Sequence, residues 1–170
     1  MEKIYLAELN NTPLGDLRLA ASDVGLLAVE WADSQPALDS YLARLKRPIE
    51  RDREKLGLYS KEILAYTQGK LREFSFEIDW DSLRPFQKKA MQAVYAIPYG
   101  ETRTYADIAR EIGRPNAPRA VGRANATNPM PLVIPCHRLI GSDGKLHGYG
   151  GGAGLKTKEW HLKMEGAILS

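Results

Sequence analysis

A single cysteine, Cys136, stands among 170 residues, so no internal disulfide can form and no thiolate-rich zinc cage can be assembled. Histidine is nearly as scarce, and all three copies fall in the second half of the chain. No apolar run approaches the roughly 18 residues that a membrane span requires. The opening MEKIYLAEL lacks the charged-then-apolar-then-small pattern of a signal peptide. Internal repeats and low-complexity tracts are missing as well. The expectation is a cytoplasmic protein in a reducing compartment, without a membrane partner. What remains is ordinary for a globular chain, 44% hydrophobic and 26% charged, and long enough to bury a core without staples.

Charge is unevenly divided. Residues 1–84 carry 12 Lys and Arg against 15 Asp and Glu, a net of −3. Residues 85–170 carry 12 against 6, a net of +6. Such asymmetry fits a second half that faces a polyanion, although a basic surface can equally serve solubility alone. The composition shift near DSLRPF sets the expected domain boundary, 1–82 and 83–170.

The first third reads as strands with tight turns. KIYLAEL, GDLRLAAS and GLLAVEW are apolar-rich runs separated by NNTPLG and SDVG, which predicts an antiparallel meander. QPALDSYLARL follows with helical spacing of Leu38, Tyr41, Leu42 and Leu45. SKEILAYTQGKL predicts a second helix, capped by Ser60 and stopped at Gly69, and FSFEIDW a further strand. The densest charge run, RLKRPIERDREK, reads as a solvated loop or helix face.

The second half changes character. RPFQKKAMQAVYAIPYG is an amphipathic helix with Phe86, Ala90, Val94 and Ile97 on one face and Pro98 at its end. In TYADIAREIG, Thr104 is the expected cap, with Asp107 as an imperfect capping-box partner, and Gly113 the stop. RPNAPRAVGRANATNP then predicts a helix capped by Asn116 with Pro118 in its first turn. Two short helices joined by a Gly-containing turn make a helix-turn-helix candidate. Its second helix carries Ala117, Ala120, Gly122, Ala124 and Ala126 around Arg119 and Arg123. Small side chains cannot reach base edges in a major groove. They either let a slim helix approach the narrow minor groove, or they pack against a neighbouring helix.

Cys136 lies in NPMPLVIPCHRLIGSDG, crowded by Pro129, Pro131 and Pro135. A cysteine in an apolar run is commonly a small buried hydrophobe. A neighbouring base can instead activate a thiol, and His137 is adjacent, with Arg138 next. Adjacent side chains seldom meet directly, so a bridging water suits this pair better. Asn128, ahead of Pro129, can tie two segments through its amide.

IPCHR, with RAVGRANATNP before it and GYGGG and KEWHLKMEG after it, closely resembles the O6-alkylguanine-DNA alkyltransferases, the methylated-DNA–protein-cysteine methyltransferases. The match spans roughly residues 85–168, and TPLGDLRLAAS and LLAVEW in the first half add to it. The resemblance implies a ribonuclease-H-like α/β roll followed by a mostly helical, winged-helix-like domain with a helix-turn-helix. It implies a suicide transferase for DNA repair. O6-alkylguanine, and O4-alkylthymine with it, is flipped out of duplex DNA bound through the minor groove. Cys136 accepts the alkyl group irreversibly. His137 is the base through a water, and Glu165 orients it. Tyr105 donates to the guanine and turns the phosphate, Arg119 fills the vacated stack, and Ala120, Gly122 and Arg123 also contact DNA. Asn128, Pro135, Arg138, Leu139, Tyr149 and Gly150 form the pocket and hinge. No cofactor is implied, and the protein acts as a monomer. Some relatives hold a structural zinc on Cys and His of the first half, where this chain has neither, so no metal is expected. The segment AGL after GYGGG adds about two residues to the commonest spacing and alters the rim of the pocket.

Three other readings compete. An alkyltransferase-like protein would bind the lesion without repairing it, but such relatives replace the acceptor cysteine. A transcription factor would need neither Cys136 nor so bare a helix. A cysteine hydrolase would need a distal histidine and an oxyanion hole.

Overall fold

The computed structural model describes residues 2–146 and 154–168, except for the side chains of residues 34–37. The chain forms two compact units, Met1–Ser82 and Leu83–Ser170.

In the first unit, β1 (Ile4–Thr12), β2 (Gly15–Ala21) and β3 (Leu26–Trp31) form the expected antiparallel meander. The β1–β2 turn uses Asn11 and Gly15 at positive φ and is closed by the Thr12 hydroxyl, which donates to the Gly15 carbonyl. Helix α1 (Gln35–Leu45) lays Leu38 and Leu42 on Ile4, Ala20, Leu27 and Ala28. Helix α2 (Gly57–Thr67) packs against β1. Both faces of the meander are thereby largely buried, which its apolar-rich strands permit.

Three local expectations need correction. The charge run does not stay a loop: Ile49–Arg51 adds β4 in parallel to β1, giving the order β3-β2-β1-β4. Its three residues are exposed, as suits a short edge strand whose charges discourage further pairing. Helix α2 starts a turn before Ser60, behind Leu56, without a side-chain cap; its end does use Gly69, whose φ is +74°. FSFEIDW forms one bridge rather than a strand, between Ile78 and Leu26. That bridge rests on Gly25, where an added Cβ would meet the Glu77 carbonyl oxygen at 2.5 Å.

The second unit opens with α3 (Pro85–Tyr95), which buries Ala90, Met91 and Val94. Strand β5 (Arg103–Thr104) runs directly into α4 (Tyr105–Glu111). The capping box at Thr104 is complete: Asp107 N donates to the threonine hydroxyl at 3.0 Å and Thr104 N donates to the aspartate at 2.9 Å. The shorter carboxylate thus does the work of the usual Glu or Gln. A short turn leads to α5 (Pro118–Ala126), completing the helix-turn-helix. Asn116 does not cap α5; Ala117 holds that position, and Pro118 starts the helix. The last carbonyls of α5 are satisfied from α3, where the Gln87 amide donates to Ala124 O and Thr127 O. A 3₁₀ turn at Cys136–Arg138 precedes β6 (Leu139–Ile140), and α6 (Leu155–Met164) follows.

Candidate active site

A two-residue parallel ladder builds the frame. Arg103 pairs with Leu139 and Thr104 with Ile140. Tyr105 begins the helix after β5, and Cys136–Arg138 is the turn before β6. The ladder therefore fixes the phenol and the reactive turn with respect to each other, although 30 positions separate Tyr105 from Pro135 in the chain.

The turn is also tied from α5. Asn128 Nδ2 donates to Ile134 O at 3.0 Å, and its Oδ1 accepts from Met130 N at 2.9 Å. Between these bonds Leu132 adopts φ +75°, a conformation a non-glycine residue rarely takes. Asn125, buried on α5, donates through Nδ2 to the carbonyl of Cys136 itself at 3.2 Å. Two asparagines thus hold one loop. The sequence reading singled out Asn128 and missed Asn125.

Helix α6 supplies the opposite wall. Lys158, His161 and Glu165 are spaced by three and four residues, so they share a helix face, and all three are buried. His137 Nε2 meets Glu165 Oε2 at 2.7 Å. Arg138 grips the same carboxylate through Nε at 2.8 Å and Nη2 at 3.0 Å, and its Nη1 donates to Ile97 O at 2.7 Å. Burial alone would raise the Glu165 pKa, but the hydrogen bonds from His137 and Arg138 hold it well below the usual carboxylate range. An ionised carboxylate only accepts, so His137 Nε2 carries the proton and Nδ1 is the basic nitrogen. Gly100, at φ +85°, lies against the end of this helix, where a Cβ would come within 3.2 Å of the Glu165 carbonyl oxygen.

Cys136 is 5% exposed, and burial pushes its thiol up to about 11, with Asn128 and the Lys158 charge opposing the rise. The thiol is protonated at neutral pH and needs a base. Burial lowers the His137 pKa, while the bond to Glu165 works the other way. Burial brings Lys158 down to about 8, against the pull of Cys136. At Tyr105, burial and then the nearby Cys136 raise the phenol pKa, while a hydrogen bond with Asn125 lowers it. The structure thus gathers a thiol, an imidazole and a carboxylate in order, with an ammonium group beside the sulfur. Such an arrangement can move a proton off a thiol without leaving an unpaired charge buried.

Of the residues singled out in the sequence, Cys136, His137, Arg138, Glu165 and Asn128 come together, with Pro135 and Leu139 flanking the turn. Arg119 and Arg123 are exposed on α5, one turn apart. Ala120 and Gly122 are partly covered, and the Tyr105 ring passes 3.9 Å from where a Cβ on Gly122 would sit. Ala124 is buried, so the small residues of α5 divide between core packing and open surface. Tyr149 and Gly150 lie outside the described residues. Lys158 and His161 were missed, although the period of KTKEWHLKMEG places both on the face of Glu165. Among the described residues no three His, Cys, Asp or Glu gather to hold a metal ion.

Known proteins carry the same plan. Residues 85–167 match the DNA binding domain of 6-O-methylguanine DNA methyltransferase, and residues 5–80 match its ribonuclease-like domain. The methylated-DNA–protein-cysteine methyltransferase of Methanosarcina acetivorans is 39% identical over 92% of this chain and 95% of that protein. The protein of the same name from Mycolicibacterium paratuberculosis is 42% identical over 91% and 88%. The crystal structure of Mycobacterium tuberculosis OGT in complex with DNA superposes with a TM-score of 0.76 at 35% identity, covering 97% of this chain and 93% of that one. The chain belongs to the 6-O-methylguanine DNA methyltransferase family.

Proposed function

We propose that this protein repairs alkylated DNA by taking the alkyl group of O6-alkylguanine, and of O4-alkylthymine, onto Cys136 in a single irreversible turnover. The observation that carries this reading is the braced base beside the only thiol: His137 adjoins Cys136 and is held at 2.7 Å by Glu165. The thiol proton passes through a water to His137 Nδ1. The sulfur electron pair attacks the alkyl carbon, a C–S bond forms, and the C–O6 bond breaks with its electrons passing to guanine. Tyr105 supplies a proton to the departing base, which makes it a better leaving group. A thioether has no route back to thiol, so each molecule acts once.

Duplex DNA is bound through the minor groove by α5, with Arg119 taking the place of the extruded base and Ala120, Gly122 and Arg123 lying along the groove. Asn128, Pro135, Arg138 and Leu139 shape the pocket and its hinge, and Tyr149 and Gly150 are assigned to its lining. The N-terminal unit supports the other. No helix of the described residues is long and apolar enough to cross a membrane. The protein works as a monomer in the cytoplasm, where a free thiol stays reduced. A lesion-binding protein without chemistry would have no use for a thiol beside a braced base.

Intact mass after incubation with a duplex carrying one O6-methylguanine tests the reading. One added methyl should map to Cys136 and be absent in Cys136→Ser. Repeated turnover would indicate a hydrolase, and tight binding without added mass a lesion-binding protein.

A further inference from the structure

The relay leaves one member of the cluster without a task. His161 lies on α6 one turn before Glu165, and its ring stacks on that of His137 with centroids 4.4 Å apart and planes inclined by 18°. Both side chains are fully buried. The Trp160 ring meets His161 edge-on at 5.3 Å. An aliphatic residue would fill this place without the cost of burying a polar ring. Burial holds His161 well below its ordinary pKa, assisted by the charges of His137 and Arg138 and opposed by Glu165, so the ring is neutral at physiological pH.

We propose that His161 is a positioning residue for proton transfer from Cys136, its ring fixing the plane of His137 and facing the positive charge that appears there. The inference rests on the reading of Cys136 as alkyl acceptor. The Cβ–Cγ bond and the hydrogen bond to Glu165 hold the His137 ring at two points on its rim. A flat plate against the ring face resists tilting about the line between those two points and so aims Nδ1. When His137 takes the thiol proton, its imidazolium faces the π system of His161, an attraction absent while His137 is neutral. The contact therefore favours the charged intermediate over the resting state, as a contribution to rate must. Glu165 favours the same charge, and Arg138 and Lys158 oppose it. A second proton on the stacked pair would place like charges face to face, so the pair accepts one.

The test uses the full chain with His161→Leu, His161→Ala and His161→Phe. Single-turnover methyl transfer from O6-methylguanine duplex gives the rate at saturating DNA, and titration gives DNA affinity separately. His161→Leu and His161→Ala should each lose about tenfold in rate with affinity unchanged. His161→Phe, which keeps a flat aromatic face, should recover most of that loss. The pKa of His137, followed through its ¹⁵N resonances, should be lower in His161→Leu than in the wild type and restored in His161→Phe, because the stacked ring favours the imidazolium. Should Ala fail to fold, Leu and Phe still decide the question. A Leu variant as fast as wild type, a Phe variant as slow as Leu, or a loss confined to DNA affinity would overturn the proposal. If the wild type takes up no methyl, the reading of Cys136 fails, and the His137 titration still judges His161.

Discussion

Glu165 is where the charges of the reactive turn are reconciled. One carboxylate accepts from His137 and from two nitrogens of Arg138, all of them buried. Removing its charge leaves the guanidinium buried without a counter-ion, an error that costs roughly 3–5 kcal/mol in comparable settings. Glu165→Gln should therefore lose roughly 3 kcal/mol at neutral pH in urea denaturation. The pH dependence carries the sign of a depressed carboxylate. In the unfolded chain a glutamate titrates near pH 4.3, whereas here its pKa is held lower. The stabilisation is complete above that unfolded value and is lost as pH falls toward the folded one. The gap between wild type and variant should therefore narrow as the solution is acidified below about pH 4.3. A gap independent of pH would show that the carboxylate's charge is not what stabilises the turn. At this scale the sequence was informative where a residue type is rare, and uninformative where it is common. A single cysteine followed by histidine is conspicuous in the string. Asn125 and Lys158 are not, because an asparagine among small residues and a lysine in a charged helix each have many ordinary explanations. Only the docking of α6 and the loop after α5 turns them into neighbours of Cys136.

Helix periodicity was legible, and helix ends less so. The apolar face of α3 follows from its spacing, with Ala90 and Val94 buried, yet Ser60 falls inside α2 and Asn116 does not cap α5. Helix α2 begins behind Leu56, which is fully buried, so packing rather than a side-chain oxygen sets its first turn. Helix α5 begins at Pro118, whose missing N–H leaves one donor fewer to satisfy. FSFEIDW shows the same limit in a strand: its alternation is right, but only the contact of Ile78 with Leu26 closes a bridge, so pairing partners rather than pattern decided the outcome. The far end of α5 depends on a residue no local rule would find. Gln87, on α3, carries hydrogen bonds to Ala124 O, Thr127 O and the Thr127 hydroxyl. Gln87→Ala should cost about 1–2 kcal/mol, visible as a lowered Tm, because these acceptors lose their shared donor at a helix terminus. Gln87→Glu should do no better, since a carboxylate offers no proton to them. An unchanged Tm in both variants would mean that solvent replaces the amide without loss.

The molecule as a whole separates its charges by unit. Residues 1–84 carry a net of −3 and residues 85–170 a net of +6, and the basic excess lies in the half that contains α5. Arg110, Arg114, Arg119 and Arg123 are exposed there. This separation was fully legible in the sequence, because net charge needs no knowledge of contacts. The edge strand β4 was not, because its charged residues resemble a loop until β1 is seen beside it. Duplex binding through this surface should weaken with salt, with a log–log slope of about −0.9 for each phosphate neutralised. Fluorescence anisotropy with an unmodified duplex over a range of salt concentrations measures that slope. Arg123→Ala should make it shallower by about 1, the signature of one lost phosphate contact. Arg51→Ala removes an exposed guanidinium from the acidic unit, where Arg51 pairs with Glu8, and should leave the slope as it was. Arg119→Ala separates the remaining roles, because a residue that replaces an extruded base matters only when a base must be extruded. It should slow transfer from duplex by about tenfold while leaving the reaction with free O6-benzylguanine nearly intact. Equal losses on both substrates would remove Arg119 from base flipping. A slope unaffected by Arg123→Ala but flattened by Arg51→Ala would move the DNA-binding surface to the other unit.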